Sequence, residues 1–349
     1  MKQSNRQFRG SKDIRKMFRR EDLKETFRVE AVETIIRNVA DRVVQVKGPS
    51  RTGSGIIFKA NDEFYVQTSH HVVIKTCGEH TQPLVPVGEK CSECDHIACV
   101  IDSIEVRFFQ NDALYTTQLF GNCSSLEKAI VRLIEVPKVI YDMDMQDYGW
   151  LVVDIRIRGM EKISIKGLLE FYKPEFIIHS SKLIDPGEEC TIVFQHDSVP
   201  ATKITKCSDN CSRIYFDQTF VPAEAKINFH KDLPWETKDC DQQVAVISFP
   251  TQPMTLTENK KITYGQPILD PKIGDCLIPS EQIKGPSGWG QLKDVVLLKH
   301  DAKVQPGDSG GCVLVMGKDV ESRIGYKSYM CMHIAGNNKH GVSSIGLIN

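Results

Sequence analysis

Pro306-Gly307-Asp308-Ser309-Gly310-Gly311 is the most informative segment of this chain. The glycines around Ser309 permit a tight turn that a Cβ would strain. Such a turn aims the N–H groups of Gly307 and Ser309 at one point, where they would form an oxyanion hole beside a nucleophilic hydroxyl. The same residues also suit an ordinary surface turn, so the sequence upstream has to decide between the two.

A serine hydroxyl is a weak nucleophile near neutral pH and needs a base held by a third group. Upstream, Val66-Gln67-Thr68-Ser69-His70-His71-Val72-Val73 closes an apolar run that starts at Phe64. Gly53-Ser54-Gly55-Ile56-Ile57-Phe58 and the turn-like Ala60-Asn61-Asp62 precede it. This pattern predicts two paired strands with a histidine at the exit. His70 and His71 are adjacent, and only the strand's period of two decides which ring faces the cleft. Further on, Asp147-Tyr148-Gly149-Trp150-Leu151-Val152-Val153 sets a carboxylate just ahead of another apolar strand, whereas Asp142 and Asp144 read as a solvated acidic loop. The chain order is His, Asp, Ser.

Three spaced motifs, Thr68 to Val72, Asp147 with its strand, and Gly307 to Gly311, resemble those of the chymotrypsin-like serine proteases. The likeness runs from about Arg42 to the C-terminus and lies in motifs rather than continuous identity. It implies an all-β fold of two antiparallel β-barrels with the site between them. Ser309 would be the nucleophile, His71 the base and Asp147 the residue that orients the imidazole, with Gly307 and Ser309 forming the oxyanion hole. Met332-His333-Ile334-Ala335-Gly336-Asn337 is similar to the S1 segment of the picornavirus 3C-like branch. That second likeness implies substrate binding by His333, Ala335, Gly336 and Val304, and a P1 preference for Gln or Glu. Ser309 stands where that branch usually has cysteine, and Val304 where a hydroxyl residue would assist. Lys303 nearby could favour an acidic P1, although a loop lysine is more simply a solvated one. His300, Asp301 and Asp308 are expected to make local hydrogen bonds around the nucleophile loop.

A chain of 349 residues with 41% hydrophobic content can bury the core of two such barrels. The expected organisation is a basic helical N-terminal extension over 1–40, a first β-barrel over 41–160 and a second over 161–349, with inserted loops over 200–240. Formal net charge is −1, but residues 1 to 28 carry ten Lys or Arg against four Asp or Glu. Leu23, Phe27, Ala31, Ile35 and Val39 recur at a spacing near four, which predicts a helix there. Its basic start offers a contact for nucleic acid or an anionic surface, although a solvated tail is the simpler reading. No apolar h-region follows Met1 and no apolar run is long enough to span a bilayer. The expectation is a soluble cytoplasmic or nuclear protein acting on protein substrates.

Twelve cysteines in a chain without a visible signal peptide are expected to be reduced. Cys77-Gly78-Glu79-His80 and Cys91-Ser92-Glu93-Cys94 form two knuckles, each able to direct two ligands to one side of a tetrahedral Zn²⁺. Cys77, His80, Cys91 and Cys94 are therefore the expected ligands of a structural zinc in an insertion over 77–99, with His96 and Cys99 as alternatives. Cys207 and Cys211 lack a well-spaced partner pair. The alternative to an enzyme is a catalytically silent binding module, in which the zinc insertion and basic N-terminus recognise nucleic acid or protein.

Overall fold

The computed structural model describes residues 34, 36–49, 51–75, 99–100, 103–108, 111–123, 126–143, 145, 147–160, 164–172, 175–194, 197–208, 211–223, 225, 243–249, 261–268, 277–279, 296–318, 326–336 and 341–345. The described part is almost entirely β. Residues 34 and 36–41 are helical and lead directly into the first strand. The remainder of the expected N-terminal helix and the four expected zinc ligands lie outside the described residues.

The first unit is a closed antiparallel barrel of order β1-β2-β3-β8-β7-β6. It comprises β1 (Val43–Lys47), β2 (Thr52–Ala60) and β3 (Glu63–Ser69), then a short two-stranded ladder of β4 (Ile74–Lys75) and β5 (Cys99–Val100), and finally β6 (Ser103–Phe108), β7 (Asn111–Cys123) and β8 (Lys128–Leu133). Asn61 and Asp62 turn β2 into β3, both with positive φ, 52° and 63°. Asn and Asp tolerate that region, and two such residues match the twist of a tight hairpin. Val44, Val46, Ile57, Val66, Val106 and Val131 are fully buried in this barrel's core.

A second closed barrel follows, of order β10-β11-β14-β13-β12-β9. Its strands are β9 (Val152–Ile157), β10 (Ser164–Tyr172), β11 (Glu175–Ser180), β12 (Cys190–Phe194), β13 (Asp197–Ser208) and β14 (Cys211–Phe216). Ile155, Leu169, Ile178, Ile192 and Ile214 fill it, and the same apolar cluster runs on through Tyr148 and Trp150 to Phe58, Tyr65 and Ile130 of the first barrel. The two barrels thus share one continuous core contact.

The Ser309 segment leads into a third unit, a seven-stranded antiparallel sheet of order β16-β15-β19-β20-β21-β18-β17. Its strands are β15 (Gln243–Ser248), β16 (Lys261–Gly265), β17 (Leu277–Pro279), β18 (Val296–His300), β19 (Cys312–Lys318), β20 (Tyr326–Gly336) and β21 (Gly341–Ile345). The sheet curls on itself. The segment after β16 bonds to the end of β18, with Ile268 N–H donating to Lys299 O at 2.9 Å and Asp301 N–H to Gln266 O at 3.1 Å. The span expected as one second barrel, 161–349, therefore divides. Most of the closed barrel and the whole curled sheet both fall inside it, and β9 begins before its start, at Val152. The physical reason is that β9 pairs with both β10 and β12, which closes a barrel before the chain reaches residue 220. No helix among the described residues is long and apolar enough to cross a membrane.

Candidate active site

The first barrel and the third sheet meet where β2 faces the Ser309 loop. Gly307 and Gly310 hold positive φ, 98° and 83°, and shape the turn on either side of the serine. Gly310 allows no alternative. A Cβ there would lie 2.1 Å from Ser54 O, 2.5 Å from Thr68 Oγ1 and 3.0 Å from Ser69 N. Ser309 O accepts from the Ser54 N–H at 2.7 Å. Ser54 is fully buried; its hydroxyl donates to Gly307 O at 2.8 Å and accepts from the Phe249 N–H at 2.8 Å.

The loop is braced from within as well. Asp308, almost wholly buried, accepts from the Ser248 hydroxyl at 2.6 Å through one oxygen and from the Gln305 N–H at 2.8 Å through the other. Asp308 N–H in turn donates to Gln305 O at 3.1 Å, and Gly311 N–H to Asp308 O at 2.9 Å. Every one of these bonds restrains the backbone on which the serine hydroxyl stands.

The histidines lie in a single helical turn, His70–Val73, directly after β3. A Cβ on Gly53 would come within 2.6 Å of Val72 Cγ2 and 2.8 Å of Ser309 O. One small residue is thus wedged between the histidine turn and the serine loop, and the structure brings His71 and Ser309 to the same end of β2.

The carboxylate on His71 is Glu127. Its Oε1 accepts a close hydrogen bond from the His71 ring at Nδ1 and another from the His71 backbone N–H at 2.9 Å. The Glu127 carbonyl accepts from the His70 N–H at 3.0 Å. Burial alone would push the Glu127 carboxyl up. The charge and hydrogen bonds of His71, with a smaller contribution from His70, hold it below the usual carboxylate range. In the neutral ring, donation of Nδ1–H to Glu127 leaves Nε2 as the acceptor, the tautomer that a general base needs. Glu127 also holds φ +53°, a left-handed conformation that costs a non-glycine residue about 1–3 kcal/mol and tends to occur at functional sites. His70 takes no part in this pair. Its ring is buried, with Nδ1 3.3 Å from Asn122 Nδ2, and desolvation keeps it below the ordinary imidazole range despite the charge of Glu127.

Asp147, expected to orient the imidazole, is elsewhere. Its carboxylate lies 3.6 Å from Lys59 Nζ and is 44% exposed. The adjacent Tyr148 N–H bonds to Lys59 O at 2.8 Å. Lys59 is five residues along β2 from Ser54, roughly 16 Å at the rise of an extended strand. The apolar strand expected after Asp147 does form, as β9, but it opens the second barrel and does not close the first. Glu127 escaped the reading of the sequence even though Leu126-Glu127-Lys128-Ala129-Ile130 carries the same signal, an acid at the head of an apolar strand, and lies nearer to His71.

The residues expected to bind substrate separate into two groups. Val304 is only 2% exposed and packs with Leu298 and Ala302 in the core of the third sheet, which removes it from any accessible lining because its side chain is used to fill that core. His333, Ala335 and Gly336 fall on β20, where His333 pairs with Ser343, Ala335 with Val342 and Gly336 with Gly341, and a register shift separates His333 from Ala335. His300 is fully buried against Gly341, and Asp301 accepts from the Gln266 N–H at 2.6 Å. Cys312 lies close to Ser309 in the chain, but burial, only partly offset by the charge of Arg42, pushes its thiol up to about 12. It therefore has no thiolate to offer near neutral pH.

Among the described residues no group of three or more His, Cys, Asp or Glu side chains is arranged to hold a metal. Of the expected zinc insertion only the stem is described: Ile74 pairs with Val100 and Lys75 with Cys99, which brings the two ends of the intervening segment together.

No protein-family model matches this chain, and no curated protein sequence matches it. Solved structures to which the chain shows some likeness include two inactive-form crystal structures of Rv3671c, one of them from M. tuberculosis H37Rv and the other titled a protease. Each is 11% identical with a TM-score of 0.37, covering 89% of this chain and 84% or 86% of the other. Deg5 is 10% identical with a TM-score of 0.39, covering 92% of this chain and 91% of that one. At such identities and scores the likeness says nothing about function, which has to come from the geometry of this chain.

Proposed function

We propose that the chain is a serine endopeptidase working through Ser309, His71 and Glu127. The observation that carries this reading is the His71–Glu127 pair, held in a left-handed turn, next to a serine loop locked onto β2. Ser309 Oγ attacks the scissile carbonyl as His71 Nε2 takes its proton, and the imidazolium then returns the proton to the leaving amine. Glu127 keeps Nδ1 protonated and stabilises the imidazolium. The N–H groups of Gly307 and Ser309 receive the oxyanion.

Specificity is proposed to reside on β20. His333 would donate one hydrogen bond to a P1 Gln or Glu oxygen, with β20 pairing to an extended substrate as an added strand. A site built to pair a polar side chain discriminates strongly against apolar analogues. Zinc is proposed for Cys77, His80, Cys91 and Cys94 as a structural ion that orders a polar insertion on the β4–β5 stem. Elemental analysis of the purified protein that finds no zinc removes that part without touching the serine.

The test of the enzyme reading is a peptide-library digest with cleavage sites mapped by mass spectrometry. Cleavage by wild type and none by Ser309→Ala supports the endopeptidase. No cleavage by a folded wild-type protein supports the silent binding module instead. A profile led by Phe, Tyr or Leu at P1 removes the Gln/Glu preference alone.

A further inference from the structure

The second barrel supplies no group to the proposed reaction, yet it holds the residue next to Glu127. Lys128 donates hydrogen bonds to both carboxylate oxygens of Glu170 on β10, at 2.7 and 2.8 Å. These side chains are only 9% and 8% exposed, so this is a buried ion pair between two barrels. The barrels touch closely here. The lining of a cavity of about 30 Å³ comprises Asn122, Leu126 and Lys128 from one side and Glu170, His179 and Ser181 from the other, among others. Asn122 in that lining also contacts the His70 ring.

Glu127 sits at the tip of the hairpin that forms this interface, in a backbone conformation that persists only where its neighbours over-determine it. On one side Leu126 is buried and the Glu127 carbonyl is held by the His70 N–H. On the other, Lys128 begins β8, paired with both Ser69 and Cys123, and its side chain is anchored in the second barrel. A lysine buried beside the acid without Glu170 would carry an uncompensated charge into the interface and would have to move to regain solvent. Such a movement would pull directly on Glu127.

We propose that Glu170 is a positioning residue for the reaction: by clamping the Lys128 ammonium at the barrel interface, it fixes the Glu127 backbone and so the carboxylate on His71. The kinetic side of this inference rests on the serine-endopeptidase reading, whereas the His71–Glu127 contact can be followed without turnover. The second barrel is then part of the catalytic apparatus.

The test uses the full chain. Glu170→Gln keeps the size of the side chain and leaves the Lys128 ammonium uncompensated at the interface. Measured below its melting temperature, it should show unchanged KM and a kcat lowered roughly ten- to a hundredfold, as a displacement of about 1 Å costs. The downfield proton signal of His71 Nδ1–H, marking a charge-assisted hydrogen bond, should move upfield or vanish. Lys128→Arg, which keeps the pair, should retain both kcat and that signal. Glu170→Leu with Lys128→Met replaces both charges by apolar groups of similar size, so nothing draws residue 128 towards solvent, and should restore most of kcat and of the signal. A folded Glu170→Gln variant with wild-type kcat and a wild-type Nδ1–H signal, or a folded double variant that loses both, overturns the proposal. If wild type shows no Ser309-dependent turnover, the endopeptidase reading fails, and the proton signal still decides whether Glu170 positions Glu127.

Discussion

Glu127 and Asp147 look alike along the chain and differ in every physical respect. Each is an acid at the head of an apolar segment, and each follows His71 in sequence. Glu127 is buried, strained at φ +53° and bonded twice to His71. Asp147 is half-exposed and shares Lys59 with Asp62 in a solvated surface cluster. A carboxylate stabilises an imidazolium strongly only when both are withdrawn from water, so the buried acid suits the role proposed for it and the exposed one does not. Depth and backbone strain separate the two where sequence pattern cannot.

The largest effects should come from the groups on the reaction path. Ser309→Ala and His71→Ala should each lower kcat on the order of 10⁶-fold, because residues that act as one unit fail together. His70→Ala should be far milder. Steady-state kinetics in which His70→Ala is the more damaging change would mean that the wrong ring of the pair had been placed on Glu127.

Next comes the contrast between the acids. Glu127→Gln keeps the shape of the side chain but abolishes its charge, and should cost on the order of 10⁴-fold in kcat. Asp147→Asn should leave kcat/KM unchanged. Equal losses from the two would mean that burial against His71 does not set Glu127 apart from Asp147.

Ser54→Ala should sharpen it from the side of the nucleophile. The change leaves Gly307 O and Phe249 N–H without their buried partner. A loss of about 1–3 kcal/mol in stability is expected, with kcat reduced because the serine loop loosens. Chemical denaturation and kinetics on the same preparation check both.

A smaller effect is the response to acid. The folded-state pKa of Glu127 is depressed, so its contribution to stability is present above the unfolded value, about 4.3. It is lost as pH falls through the lower folded value. The stability gap between wild type and Glu127→Gln should therefore be widest near neutral pH and shrink below about pH 4. A gap that grows on acidification would contradict the depressed pKa.

What could be read along the chain was local chemistry. The Asn61-Asp62 hairpin, the glycine-flanked turn at Ser309 and the all-β character each depend on a few adjacent residues whose backbone preferences are strong. What could not be read depends on pairings across the fold. Glu127 reaches His71 because β3 and β8 are neighbours, with Ser69 opposite Lys128, and nothing within either segment announces that. The second barrel closes through β9 pairing with β12 as well as β10, so a boundary drawn at 160 cuts a strand pattern that looks continuous. Val304 was misplaced for a similar reason: an apolar residue before a loop suits a pocket wall and a core equally, and only the packing of the curled sheet separates them.

Activation of Ser309 by a His71 held on Glu127 can be measured by fluorophosphonate labelling, with the modified peptide identified by mass spectrometry. Wild type and Asp147→Asn should label at Ser309 at the same rate, Glu127→Gln should label far more slowly, and Ser309→Ala should not label at all. Labelling of Glu127→Gln at the wild-type rate, with Asp147→Asn silent, would mean that Asp147 and not Glu127 serves His71.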